Sequence, residues 1–128
     1  MKNLFLTLFV LVLVSCTNNP PSLEVQGKWK LVKVENTFAL QSTDYSSENI
    51  IFDFSSSTVT VSGNTSANFY IADGEYPYTL SMENSLSTTF QTMTLTLKGE
   101  QYVYKRENNK MSLSLGYIDG DNLSFERQ

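Results

Sequence analysis

The chain has 128 residues with 9 Lys+Arg against 13 Asp+Glu, a formal net charge of −4, one cysteine and no histidine. The acidic balance and the lack of a basic run offer no field for phosphate, which argues against nucleic acid as a partner. The absence of histidine removes the commonest general base, serine-activating partner and zinc ligand, and a single cysteine allows no disulfide within the chain.

Lys2 precedes an apolar run, Leu4 to Val14. As a helix this run would span ~17 Å, short of a ~30 Å hydrocarbon core, so it reads as the apolar segment of a signal sequence and not as a permanent membrane span. It ends in Leu13-Val14-Ser15-Cys16. This resembles the lipobox of bacterial lipoproteins, which have an aliphatic residue three places before the cysteine and a small one directly before it. The resemblance implies a signal peptide over 1–15, diacylglycerol on Cys16, and a lipidated tether over 16–24. It also implies attachment to a membrane through Cys16, which suits the physics, because a single acyl chain holds a protein only marginally and two or more hold it firmly. Thr17 follows the cysteine where an aspartate would signal inner-membrane retention, so the expected address is the outer membrane. The stretch "TNNPPS" has no carboxylate before Glu24, which favours a periplasm-facing protein over surface display. Asn-Asn-Pro-Pro cannot build regular structure, so the tether is expected to be extended.

From Gly27 the period is two. Ile50, Phe52 and Phe54 fall on one face against Ile51, Asp53 and Ser55, Val59 and Val61 alternate with Thr58 and Thr60, and Tyr76, Tyr78, Leu80 and Met82 point one way. Met93, Leu95 and Leu97 follow, then Met111, Leu113, Leu115 and Tyr117, then Leu123 and Phe125. This is the pattern of strands with one buried face. It predicts strands near 27–35, 49–55, 58–63, 67–72, 75–82, 92–98, 101–106 and 110–117, with 122–127 closing the set. Asp73-Gly74, Lys98-Gly99, Asn108-Asn109 and Asp119-Gly120 supply turn chemistry between them, so consecutive strands are expected to be antiparallel neighbours. The expected fold is all-β: one antiparallel up-and-down barrel of about eight strands over 25–128. Two places break the pattern. In "GKWKLVKVE" the apolar phase shifts at Leu31-Val32, which predicts a β-bulge or a sharp bend. The link 36–49 has no period and is expected to be structureless, with Phe38 and Leu40 either plugging a cavity mouth or capping the core.

Gly27-Lys28-Trp29, opening the first strand, is similar to the Gly-x-Trp motif of lipocalins. The resemblance implies that Trp29 closes the barrel's lower end and that Arg127, from the last strand, packs across its indole. It also implies a calyx that carries a small hydrophobic ligand. A second resemblance, carried by "GNTSANFYIADGEYPYTLS" and "NNKMSLSLGYIDGDNLSFER", is to the META-type domains of small exported lipoproteins, and it implies a filled domain without a ligand cavity.

Little chemistry is visible. Asp73-Gly74-Glu75 and Asp119-Gly120-Asp121-Asn122 place acids around a glycine, either for a weak Ca²⁺ site or simply as solvated turns. Neither matches a known calcium-loop spacing, so no metal or cofactor is expected. Asn64-Thr65-Ser66 and Asn122-Leu123-Ser124 fit the glycosylation sequon without singling out a function. Tyr76, Tyr78, Tyr102 and Tyr104 are candidates to line a ligand pocket, or else to fill a narrow barrel. The expected function is therefore non-enzymatic: a lipid-anchored protein binding a small hydrophobic ligand or an envelope partner. The alternative is a structural or interaction lipoprotein with a filled interior.

Overall fold

The alternation at Trp29 and Leu31 starts a strand whose two edges are both used. β1 (Gly27–Asn36) pairs antiparallel with β9 (Asp121–Arg127) along one edge and with β3 (Ile51–Phe54) along the lower part of the other. In this computed structural model, which describes residues 25–65, 69–84, 91–116 and 120–128, the remaining strands follow in chain order. They are β4 (Thr58–Ser62), β5 (Gly74–Asn84), β6 (Gln91–Leu97), β7 (Glu100–Glu107) and β8 (Lys110–Leu115). Each pairs antiparallel with the next, and the β1–β9 pairing closes the circle. The result is a closed eight-stranded antiparallel barrel plus one additional strand.

That additional strand is β2 (Gln41–Asp44), which pairs with β1 from Lys33↔Asp44 to Asn36↔Gln41. It corrects the expectation of a structureless 36–49 link. β2 and β3 run along the same edge of β1, one above the other. The chain between them is tied back by the Tyr45 N–H donating to Val32 O at 2.8 Å and the Leu31 N–H donating to Ile50 O at 2.9 Å. The register between β1 and β9 slips between Leu31 and Lys33, which is the bulge expected from the phase shift.

A second correction concerns 67–72. The described residues of that stretch, 69–72, bend instead of pairing, with Phe69 and Ile71 turned inward and Tyr70 and Ala72 exposed. Phe69 and Ile71 are 3% and 2% exposed, whereas Phe38 and Leu40 are 72% and 91% exposed. The residues expected to plug or cap the barrel therefore stand in solvent, and the β4–β5 connection buries two apolar side chains in their place.

The β6–β7 turn closes tightly although only its second residue is a glycine. Lys98 and Gly99 adopt φ of 53° and 81° in the two-residue β6–β7 loop, the geometry that matches strand twist in tight hairpins. Gly63, at φ 83°, has the backbone oxygen of Asn49 only 2.0 Å from where a Cβ would stand. No other residue fits there.

The inward face is one apolar cluster. Trp29, Leu31, Phe52, Leu95, Leu113 and Leu123 are fully buried. Phe52 packs edge-on against Phe125 at 5.1 Å and Phe69 at 6.0 Å, and Phe54 meets Tyr78 edge-on at 5.2 Å. Such pairs add about 0.5–1.5 kcal/mol each beyond their area. The outward face carries exposed Lys28, Thr60, Lys105 and Lys110. A polar exterior around an apolar interior is the inverse of a lipid-spanning barrel.

Candidate functional site

At the lower end, where the chain enters the barrel, the three residues expected to close it come together. Trp29 pairs in register with Arg127 and is 0% exposed, and its indole N–H donates to Val25 O at 2.8 Å. The Arg127 guanidinium lies 5.4 Å from the ring centroid. Gly27 gives it room: a Cβ at Gly27 would stand 3.1 Å from Arg127 Nη2, at a φ of 115°. Sequence reasoning missed a second cation, Arg106, whose guanidinium is 5.6 Å from the same indole. The signal for it was present. Tyr102, Tyr104 and Arg106 share one parity in β7, and the register sets Arg106 opposite buried Met111. This end is structural: a hydrogen-bonded aromatic with two cations stacked near it.

The four candidate tyrosines do not converge on one pocket. Tyr78, Tyr102 and Tyr104 are 7%, 1% and 7% exposed, within the core cluster. The Tyr78 hydroxyl donates to Ser55 O, and the Tyr102 hydroxyl lies 3.4 Å from that of Tyr70. Tyr76 is half-buried, donates to Ala72 O at 2.8 Å and is covered by the Lys98 ammonium 4.9 Å from its ring. Tyr76 and Tyr78 share an open groove of about 490 Å³ with Pro77, Thr79, Thr96 and Lys98. Tyr102 and Tyr104 lie outside it, so the quartet splits in two.

Burial pushes the phenols of Tyr45, Tyr78 and Tyr102 above their ordinary value, because the phenolate would lose its hydration. Tyr70 is pushed up furthest, first by burial and then by its bond to Tyr102 and the negative charges of Asp121 and Glu100. These groups are neutral at ordinary pH. They can hydrogen-bond, but they offer neither base nor nucleophile.

At the upper end, a cleft of about 180 Å³ opens beside β2, with Asn36, Gln41, Thr43, Tyr45, Tyr70 and Asp121 among its walls. The Asn36 amide donates to Asp121 Oδ1 at 3.0 Å. The adjoining connection is fixed by Asn64, 8% exposed, whose amide donates to Phe69 O at 2.8 Å and Ile71 O at 2.9 Å. Asp73 accepts from the Gly63 and Asn64 N–H groups at 3.1 and 2.8 Å. The Asp73 carboxylate thus ties a turn together, with both oxygens committed to backbone. The Asn64 sequon is equally committed, since its amide nitrogen is buried with both donors used.

Among the described residues, no three of His, Cys, Asp or Glu gather as a metal site. Cys16, Thr17, Tyr117 and Asp119 lie outside the described residues, as do the leader and residues 16–24 of the tether. Compared with protein-family models, with curated proteins and with solved structures, the chain matches none.

Proposed function

We propose that the chain is a cell-envelope lipoprotein, held through diacylglyceryl Cys16 at the outer membrane and facing the periplasm, whose barrel is a non-enzymatic protein-docking module. The observation that carries the docking reading is the occupied interior. The side chains that would line a calyx, among them Trp29, Phe52, Tyr102 and Phe125, are buried against one another. Phe69 and Ile71 fold in from the β4–β5 connection on top of them. A barrel of eight strands has room inside for side chains or for one small ligand, and here side chains take the space. The leader, the small residue before Cys16 and the proline-containing tether support the anchor. The Gly27-x-Trp29 and Arg127 resemblance to lipocalins supports the barrel architecture more than the carriage of a ligand.

A second reading keeps a small hydrophobic ligand but moves it from the interior to the rim. The groove at Tyr76, Pro77 and Tyr78 is mainly apolar and large enough for one.

Mass spectrometry of the mature protein from its own cells tests both parts. The expected mass begins at Cys16 and carries a diacylglyceryl thioether. Under native conditions after exchange into detergent, the expected spectrum has no further small-molecule adduct. A mature chain with a bare sulfur refutes the anchor. A stoichiometric lipid-sized adduct lost on Tyr76→Ala substitution refutes docking in favour of ligand carriage.

A further inference from the structure

The β1–β2 hairpin departs from local rules twice over, pairing an unfavoured left-handed residue, as Lys98 also is in the β6–β7 turn, with large apolar side chains left in solvent. Its four-residue tip, 37–40, ends on Leu40 at φ 51°, a left-handed conformation that costs a branched side chain and that Gly or Asn would adopt freely. The strain serves no packing, since Leu40 is 91% and Phe38 72% exposed. The tip is nonetheless held in shape. Asn36 Oδ1 accepts from the Ala39 N–H at 2.8 Å, while the Asn36 amide is fixed on Asp121. Nor does the barrel need this hairpin for closure, because its circuit runs from β1 to β3 without β2. Two large apolar side chains, presented on a braced turn where another residue type would be more stable, are what an anchor for a partner requires.

The surroundings select the partner. Near the hairpin and along the same rim stand Glu35, Asp44, Glu48, Asp73, Glu75, Glu100 and Asp121, against Lys30, Lys33 and Lys98. Lys33 is ion-paired with Glu35 at 2.5 Å. The opposite end has Lys28, Lys105, Arg106, Lys110 and Arg127 against Asp53, Glu83, Glu107 and Glu126, close to balance. The net negative charge is therefore concentrated at the end that carries the apolar tip, while the end where the chain enters the barrel is close to balanced. An acidic rim is repelled by anionic headgroups, so a bilayer is a poor occupant for Phe38 and Leu40. A second copy would bring two acidic rims together.

We infer that the Phe38–Leu40 tip docks into an apolar socket on a protein whose surrounding surface is basic, with the acidic rim supplying orientation and encounter rate. The inference deepens the docking reading above and rests on it. It assigns the contact to the end of β1 remote from the tether, about 33 Å along the strand.

The test places a photo-crosslinking residue at Ala39 in the full-length chain in its native cells, with a control at Thr60 on the barrel wall. The expected result is one adduct specific to position 39. The crosslinked protein is then identified, purified and titrated with the lipoprotein. Binding should weaken at least about tenfold with Phe38→Asp and with Leu40→Gly, and should fall as salt rises. Leu40→Gly should at the same time raise the melting temperature by roughly 3–6 °C, because the strain is gone, so lost binding cannot be blamed on misfolding. Adducts only to a second copy, only to lipid, or equal at positions 39 and 60 overturn the inference. So does a purified partner indifferent to Phe38→Asp. A bare Cys16 with the adduct retained would fail the anchor and leave this site standing.

Discussion

Replacing Asn64 with aspartate changes the shape of one buried side chain hardly at all and reverses its hydrogen-bonding sense. The wild-type amide donates to Phe69 O and Ile71 O, at 2.8 and 2.9 Å, with the side chain 8% exposed. An ionised carboxylate has no proton to give, so both carbonyls lose their donor and face a negative charge. Each carbonyl left unsatisfied costs about 1–3 kcal/mol, before any repulsion from Asp73 is added. The expected loss for Asn64→Asp is therefore about 3–5 kcal/mol at neutral pH. In a domain of this size that lowers the melting temperature by roughly 15 °C or more. Asn64→Ala removes the same bonds without the charge and should cost about 2–4 kcal/mol, including a small cavity. Urea unfolding followed by Trp29 fluorescence and far-ultraviolet dichroism supplies both values. Acid gives a sharper signature. The introduced carboxyl, disfavoured as an anion in the fold, has a raised folded-state pKa. Its penalty is present at neutral pH and shrinks as falling pH restores a proton that one carbonyl can accept. The Asn64→Asp deficit should narrow towards pH 4, while that of Asn64→Ala should not. A neutral-pH loss below about 0.5 kcal/mol for Asn64→Asp would mean that the amide does not hold the β4–β5 connection, and the reasoning would fail.

Other consequences follow from the same geometry. A double-mutant cycle between Trp29→Phe and Arg127→Gln should give a coupling of about 0.5–1 kcal/mol, less than the full cation–π value because Arg106 also faces the indole; a coupling indistinguishable from zero refutes the stacking role. Gly63→Ala should prevent folding or cost more than about 3 kcal/mol, since its methyl would meet Asn49 O at 2.0 Å, whereas Gly99→Ala, with open space around it, should cost only about 1–2 kcal/mol; thermal melts of the pair decide this. Tyr45, Tyr70, Tyr78 and Tyr102 have folded-state pKa values raised above the unfolded value near 10, so their contribution is complete below that value and is lost as pH rises through and above it. Tyrosinate absorbance should therefore lag the free-phenol curve and then rise together with loss of the β-sheet dichroism, and an ordinary titration without unfolding would contradict the buried hydroxyls.

Much of the barrel was legible because inward positions are apolar almost without exception. Val61, Leu95, Leu113 and Phe125 each alternate with polar neighbours, and a slip of one residue would expose the whole set. Even the β1 bulge was readable, as the break between Leu31 and Val32. Elsewhere alternation misled. "FYIAD" has the period of a strand, yet the Asn64 amide satisfies its Phe69 and Ile71 carbonyls from the side, and Asp73 in turn holds Gly63 and Asn64, so it buries Phe69 and Ile71 without a ladder. Conversely, β2 reads Gln-Ser-Thr-Asp, with no apolar face at all, and all four side chains are exposed. Its pairing comes from the turn that returns it along β1, a tertiary fact no alternation could announce. Met82 kept its predicted parity but not its burial, being 50% exposed towards the lower end of β5.

These two misreadings have one physical origin. A sequence pattern reports which side chains leave water, and it is silent on what satisfies the backbone. Where a ladder does both, as in β3 and β4, pattern and structure agree. In the β4–β5 connection the tasks separate: Phe69 and Ile71 bury area while an asparagine and an aspartate carry the hydrogen bonds. In the β1–β2 hairpin they separate the other way, for β2 pairs along β1 over four residues while Phe38 and Leu40 stay wet. Both departures lie at the end of the barrel away from the chain's entry, whereas around Trp29 the described strands follow their apolar alternation. Strain and exposed apolar surface persist only where the surrounding fold can bear their cost. Here a closed, filled barrel bears it, so the rim can hold a conformation that no isolated hairpin of this sequence would choose.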